Sequence, residues 1–62
     1  MTSKEQWLEY KDALKETSDL LSAAYRATKR RSTVQFAKQR LRIGAINKER
    51  YIAVLKREAG LH

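Results

Sequence analysis

Cysteine and proline are absent from this 62-residue sequence, and glycine occurs only at positions 44 and 60. Without cysteine the chain has no thiolate ligand and no disulfide, and its one histidine is the last residue, so we expect no metal site and no cofactor. Proline and glycine disfavour the interior of a helix, and their scarcity favours long helices. We therefore predict an all-α protein, and the lack of cysteine also fits a reducing compartment.

Long apolar runs are also missing, and none approaches the roughly 18 residues that a membrane-spanning helix requires. The first residues, MTSKEQWLEYKD, lack the basic start and the apolar stretch of a signal peptide. In so short a chain the apolar faces of amphipathic helices are needed for the core, which leaves little to insert into a lipid surface. We therefore expect a soluble, cytoplasmic protein that does not bind membranes.

Catalytic motifs are a third absence, since the sequence has neither a glycine-rich phosphate loop nor the H-E-x-x-H pattern of a metalloprotease. Asp12 and Glu16 share a helix face at i, i+4 spacing, but the lysines near them favour a solvated surface. A chain of this length buries only about 60% of its unfolded surface, which leaves little room for a substrate cleft. We predict that the protein is not an enzyme.

Positive charge is what the sequence has in excess, with 14 Lys and Arg against 7 Asp and Glu and a net charge of +7. The two parts of the chain differ in sign. Residues 1–25 carry more acidic than basic side chains, whereas residues 26–62 hold most of the Lys and Arg and only two acidic residues. This asymmetry predicts a separate basic surface on the folded protein.

An apolar face recurs at alternating steps of three and four residues through the first half of the chain, which predicts one helix over residues 3–29. Capping-box spacing places its start at Thr2 or Ser3. At about 1.5 Å per residue it would be about 40 Å long, so two shorter helices could pack along it. Its predicted buried face consists of Trp7, Tyr10, Leu14, Thr17, Leu21, Ala24 and Thr28, widened by Leu20 and Tyr25.

The apolar phase is lost at Lys29, which predicts a turn. Capping-box spacing between Ser32 and Gln35 predicts a second helix over 33–43, ended by a glycine at position 44. Asn47 is a favourable N-cap for a third helix over 48–59, with Gly60 at its end. The predicted fold is a small antiparallel bundle of two to three helices in a single domain over 1–62. The alternative is one bent helix over 3–43.

Residues 41–56, LRIGAINKERYIAVLK, have the order of a leucine, a Gly-x-Ile turn, an acidic residue and an aromatic. In this they resemble the SHOCT (short C-terminal) family of helical hairpins. Asn47 replaces the family's threonine and preserves the cap, whereas Arg50 replaces its second acidic residue, which is a departure. The resemblance implies an antiparallel helix pair that serves as an interaction or oligomerisation appendage, and it implies no enzyme. The matching positions are Leu41, Gly44, Ile46, Glu49 and Tyr51.

The segment KRRSTVQFAKQRLRIG, residues 29–44, contains no acidic residue. In helical register Val34, Ala37 and Leu41 share one face, and a polar stripe lies beside it. Lys and Arg can neutralise phosphates, and Gln can reach phosphate oxygens or base edges. A solvated face is the alternative interpretation. The predicted nucleic-acid-binding residues are Arg30, Arg31, Gln35, Lys38, Gln39 and Arg42.

A second apolar side of the same helix holds Phe36 and Ile43, with Arg40 near them. This arrangement predicts a central helix, held between the first and third helices or against another copy. A helix-turn-helix motif is disfavoured, because Arg40 and Arg50 occupy positions that need a small and an apolar residue. An antiparallel hairpin is therefore the better prediction.

The resulting hypothesis is a small basic accessory protein that binds nucleic acid, with DNA favoured over RNA, of a regulatory, packaging, phage or plasmid type. The alternative is a helical-hairpin adaptor or inhibitor that acts through a protein partner. So small a core gains stability from a second copy, so we expect a homo-oligomer. Trp7, near the beginning of the first helix, is the predicted self-association contact, since aromatic residues are enriched at interface hot spots.

Overall fold

A computed structural model describes residues 3–61, and this range folds into four α-helices without a strand. The helices are α1 (Lys4–Glu16), α2 (Ser18–Ala27), α3 (Arg31–Arg42) and α4 (Lys48–Glu58). The all-α prediction is confirmed, but the predicted count of two to three helices is wrong. The Cα radius of gyration is 11.1 Å, close to the roughly 10.6 Å expected of a compact domain of this length. No helix within the described range is long and apolar enough to cross a bilayer.

The first predicted helix is interrupted at Thr17, which ends α1 and begins α2. The Thr17 hydroxyl donates to the Ala13 carbonyl at 2.7 Å and lies 3.2 Å from the Tyr51 hydroxyl of α4. A threonine that bonds back to the preceding turn bends a helix. Thr17 is buried, as its place on the apolar face predicted, but the helix does not continue straight through it. The longest dimension of the protein is 32 Å, shorter than an unbroken helix over 3–29 would be.

The α2–α3 connection contradicts the single bent helix over 3–43, because the backbone is extended at Thr28 and is also non-helical at Arg30. It also corrects the predicted start of the second helix. Helix α3 begins at Arg31 instead of Thr33, and Ser32 lies inside its first turn. The Thr28 hydroxyl accepts a hydrogen bond from the Arg30 backbone N–H at 2.9 Å, so the turn is fixed two residues earlier than the sequence pattern predicted.

Capping residues correctly predicted the beginnings of α1 and α4, and glycines correctly predicted the ends of α3 and α4. Ser3 accepts a hydrogen bond from the Gln6 N–H at 3.1 Å, and Asn47 accepts one from the Arg50 N–H at 2.8 Å. The alternative cap at Thr2 lies outside the described residues. Glycines 44 and 60 have φ of 77° and 81°, and each follows the end of a helix, which confirms both predicted helix stops.

The core lies where the four helices meet, and α4 supplies its largest side chain, Tyr51. The most extensive helix interfaces are those of α4 with α2 and with α3. Alanines from α1, α2 and α3 allow close approach of the helices. Every buried side-chain nitrogen or oxygen in residues 3–61 has a hydrogen-bond partner. The buried apolar residues are Ala13, Ala24, Val34, Ala37, Leu41, Tyr51 and Leu55.

The second apolar side of α3 is exposed. Phe36 is 58% and Ile43 is 66% accessible, so α3 is not held between two helices of its own chain. Its neighbours α1, α2 and α4 cover the opposite side, which carries Val34, Ala37 and Leu41. The prediction of a central helix is therefore wrong within one chain, and packing against another copy stays a prediction.

Candidate nucleic-acid interface

Four of the six predicted binding residues line one shallow concavity between α3 and α1, about 280 Å³ in volume. Spacings of three and four residues place them on one face of α3, beside the buried face that anchors the helix. Tyr10 of α1 forms the other wall. We call this surface the basic concavity, and its lining residues are Tyr10, Gln35, Lys38, Gln39 and Arg42.

The lining of the basic concavity consists of two cations, two amides and a phenol, and it includes no carboxylate. Amides and cations can donate to the oxygens of an anion, and the amide oxygens can accept from a base edge. In the part of the chain that the structure describes, no cluster of His, Cys, Asp and Glu could hold a metal ion. The surface is therefore suited to binding an anionic ligand.

Arg31 belongs to the same face of α3, because it precedes Gln35 by four residues. Its guanidinium carbon lies 5.7 Å from the ring centre of Tyr25, a cation–π contact that holds it against α2. The face from Arg31 to Arg42 is about 16 Å long at the rise of an α-helix. Arg31 thus continues the basic face of α3 beyond the basic concavity, toward the beginning of the helix.

Arg30 has a different environment from the other five predicted residues. It precedes α3, and its Nη2 lies 3.8 Å from the Oε2 of Glu58. The Glu58 side chain is buried and accepts a hydrogen bond from the Thr28 hydroxyl at 2.7 Å, while Arg57 Nε lies 3.7 Å from its Oε2. Arg30 therefore shares a buried carboxylate with Arg57, which compensates part of its charge, although its own side chain is 74% exposed.

Sequence reasoning missed Glu58 as the residue that joins the ends of α2, α3 and α4. One signal could have found it. Glu49 and Glu58 are the only acidic residues after position 25, and Glu49 lies in the first turn of α4, where the helix dipole favours it. Glu58 lies in the last turn, where the dipole disfavours a carboxylate. An acid at that position implies a compensating tertiary partner.

Trp7 and Tyr10 form an aromatic pair beside the basic concavity, with ring centres 5.6 Å apart. The Arg42 guanidinium carbon lies 5.5 Å from the Trp7 ring centre, and Lys11 Nζ lies 5.9 Å from it. Trp7 is 42% accessible. The sequence pattern assigned Trp7 to self-association and did not connect it with the stripe on α3, because only the packing of α1 on α3 brings them together.

A second surface lies between α3 and α4 and has an apolar floor with an arginine rim. We call it the α3–α4 groove, and its volume is about 240 Å³. The Arg40 guanidinium carbon lies 5.3 Å from the ring centre of Phe36. No acidic residue belongs to its lining, which comprises Thr33, Phe36, Ala37, Arg40, Ile46, Arg50, Val54 and Arg57.

Comparison with known proteins adds no relative to these observations. The sequence matches no protein-family model, and neither a curated protein nor a solved structure matches it. The resemblance of residues 41–56 to the SHOCT hairpin therefore stays a prediction.

Proposed function

We propose that this protein is a small, non-enzymatic accessory protein that binds nucleic acid, DNA in preference to RNA, through the basic concavity. The observation that carries the proposal is the grouping of Gln35, Lys38, Gln39 and Arg42 in one concave surface without a carboxylate. Its size and net charge of +7 suit a cytoplasmic regulator or packaging factor of phage or plasmid type.

The proposed division of labour follows the chemistry of the side chains. Lys38 and Arg42 neutralise phosphates and release condensed counterions, which supplies sequence-independent affinity. Gln35 and Gln39 donate to phosphate oxygens or pair with base edges. Arg31 continues the phosphate track along the same face of α3. Arg30 contributes less than these residues, because Glu58 already faces its guanidinium.

The test compares two double variants that each remove two positive charges. Lys38→Ala with Arg42→Ala should weaken binding to DNA of any sequence at least tenfold, because phosphate contacts carry little base information. Lys4→Ala with Lys15→Ala removes the same charge from exposed positions on α1 and should change affinity less than about threefold. Fluorescence anisotropy with labelled DNA and RNA measures both, and circular dichroism checks the fold. Equal losses of affinity in the two variants would mean that the protein binds DNA only through bulk charge attraction.

The second candidate function is a helical-hairpin adaptor or inhibitor, favoured by the exposed apolar side of α3. The α3–α4 groove has an apolar floor, Phe36 at its edge and an arginine rim without acidic residues. Charge complementarity therefore selects an acidic amphipathic helix as the occupant, with apolar residues at i, i+3, i+4 and i+7. The hairpin of α3 and α4 would then act as an interaction module, as the SHOCT resemblance also implies.

A designed acidic amphipathic peptide tests this second function. It should bind the wild-type protein, and Arg40→Ala with Arg50→Ala should weaken it at least tenfold while leaving DNA affinity within about threefold. The variant Lys38→Ala with Arg42→Ala should show the reverse pattern. A peptide that binds all three proteins equally would exclude the groove as its site.

A further inference from the structure

Trp7 is the only tryptophan of the chain, and it is a large aromatic residue left partly open to solvent on α1. Tyr10 lies one turn further along the same face of α1 and is half-buried, packed against the core. The two rings are 5.6 Å apart with an angle of 35° between their planes. Tyr10 thus supports the Trp7 ring on one side, while part of that ring stays accessible to solvent.

This aromatic pair adjoins the residues that we assign to phosphate binding. Tyr10 lines the basic concavity, and Arg42 both lines it and approaches the Trp7 ring to 5.5 Å. A single guanidinium therefore connects the phosphate-binding stripe with a partly exposed aromatic ring, which Lys11 also approaches to 5.9 Å. Proteins that bind single strands combine these two elements, a basic track for the backbone and aromatic side chains on which unpaired bases stack.

Duplex DNA gains nothing from the aromatic pair, because its bases already stack on each other and it presents phosphates outward. Cations alone would be sufficient for duplex binding. The aromatic pair adds a contact that only an unpaired base can make. We propose that Trp7 and Tyr10 stack on unpaired bases, so that the basic concavity binds single-stranded nucleic acid in preference to duplex. This inference rests on the proposed function and specifies its ligand.

The test measures the affinity for a short oligothymidylate and for a mixed-sequence duplex of the same length, at one salt concentration. Trp7→Ala should lower single-strand affinity at least about fivefold, the lower end of what one base–aromatic stack supplies. Duplex affinity should change less than about twofold. Trp7→Phe keeps an aromatic face and should preserve most of the preference for single strands.

Phe36→Ala is the matched control. Phe36 is also an exposed aromatic with an arginine over its ring, but it lies on the other side of α3 at the α3–α4 groove. Its removal should leave both affinities unchanged. As a direct readout, the fluorescence of Trp7 should be quenched by the oligothymidylate in a saturable manner and should change little with the duplex.

The outcomes separate this inference from the proposed function. If Lys38→Ala with Arg42→Ala weakens binding but Trp7→Ala leaves the ratio of the two affinities unchanged, the stacking inference is wrong and the phosphate-binding surface stands. If Phe36→Ala acts like Trp7→Ala, stacking at this site is also excluded. If the Lys38 and Arg42 variant binds as well as the wild type, the proposed function itself fails. If Trp7→Ala only abolishes a dimer and lowers both affinities alike, self-association replaces stacking as the role of Trp7.

Discussion

Gly44 and Gly60 have the same backbone conformation but different surroundings. Their φ values are 77° and 81°, a region that side chains with a Cβ rarely adopt. A Cβ built on Gly44 would lie 3.1 Å from Oε1 of Gln6, whereas one on Gly60 would meet open space. The Gln6 side chain is itself held in place, because its Nε2 donates to the Leu41 carbonyl at 3.0 Å. Gly44 therefore carries both a backbone and a packing requirement.

We expect Gly44→Val to destabilise the protein by at least about 1 kcal/mol, the scale of a strained backbone residue. In a domain of this size that corresponds to a melting temperature lower by roughly 4–8 °C. Gly60→Val should cost less, because it shares the backbone strain but displaces no side chain. Thermal unfolding followed by circular dichroism measures both. Equal melting temperatures for the two variants would mean that the Gln6 contact contributes nothing.

Tyr51 is a buried phenol, and its ionisation is coupled to folding. Burial raises the pKa of Tyr51 above its ordinary value of about 10, while the hydrogen bond with Thr17 opposes part of the rise. The folded protein therefore retains this proton at a pH where the unfolded chain releases it. The free energy of unfolding keeps the full contribution below about pH 10 and loses it progressively as the pH rises toward the folded-state pKa.

The prediction is that the wild type loses more stability between about pH 9 and pH 11 than Tyr51→Phe does. Phenylalanine keeps the ring but cannot ionise, and at neutral pH it should cost about 1 kcal/mol for the lost hydrogen bond. The pKa of Lys48, raised chiefly by its hydrogen bond with Glu16, acts in the same direction but equally in both proteins. Urea unfolding across this range measures the difference. Parallel curves for the two proteins would show that Tyr51 is not protected from ionisation.

The residues that sequence analysis placed correctly are those whose partners are local. Ser3, Asn47 and Gly44 act on backbone groups within a few positions, so their spacing alone predicts what they do. Thr17 and Glu58 depend on partners about 30 positions away, Tyr51 and Thr28. A periodic pattern contains no information about such pairs. The start of α3 was therefore missed. The break at Thr17 was missed because its place on the apolar face fits a continuous helix equally well.

Three of the four helices are held together by a polar junction where α2 ends, α3 begins and α4 ends. Thr28 donates to Glu58 and accepts from the Arg30 N–H, so a single hydroxyl links all three. The carboxylate of Glu58 is buried, and an unpaired buried acceptor is costly. The junction, and not an N-cap side chain at Ser32, determines where α3 begins.

Thr28→Val should therefore destabilise the protein by roughly 1–3 kcal/mol, because it removes the hydroxyl and leaves a Glu58 oxygen without its closest donor. Thr33→Val is the matched control, since Thr33 is half-buried on α3 and makes no side-chain hydrogen bond within residues 3–61. It should change stability by less than about 0.5 kcal/mol. Urea unfolding at neutral pH measures both. If the two substitutions lower the free energy of unfolding by similar amounts, the junction does not contribute specifically to stability.

The whole molecule has basic side chains on two sides of α3 and a comparatively acidic outer side on α1. The sequence predicted the stripe of the basic concavity because helical register alone groups Gln35, Lys38 and Arg42. It did not predict that Trp7 and Tyr10 would lie beside them, since that depends on how α1 packs on α3. Nor did it predict the α3–α4 groove, which requires side chains from two helices.

Self-association stays a prediction for the whole molecule. The exposed apolar side chains that a second copy could cover are Trp7 and Leu8 on α1, Phe36 on α3 and Ile43 directly after α3. Sedimentation velocity at micromolar concentration should show a dimer or a larger species. Trp7→Ala should shift it to a monomer if the contact is the predicted one, whereas Phe36→Ala should do so if the α3 side is used. A monomer that unfolds cooperatively would contradict the prediction.

The salt dependence of DNA binding measures how many basic side chains of the protein contact phosphates. Four contacts from Arg30, Arg31, Lys38 and Arg42 would give a log–log slope of about −3.6 on duplex DNA, from about 0.9 counterions released per phosphate. Because Arg30 also faces Glu58 at 3.8 Å, three full contacts and a slope of about −2.7 form the lower limit. We therefore expect a measured slope between these values.

Replacing Lys38 and Arg42 by alanine should make this slope less steep by about 1.8, two contacts' worth. The exposed pair Lys4 and Lys15 should leave it nearly unchanged, since counterion release depends on local contact and not on net charge. On single strands each contact releases only about 0.7 counterions, so three to four contacts predict about −2.1 to −2.8. Titrations at a series of salt concentrations measure every slope. If the two double variants flatten the slope equally, the interaction is bulk charge attraction, and the adaptor function becomes the better explanation. If the Lys38 and Arg42 variant leaves binding unchanged, the stripe is a solvated face.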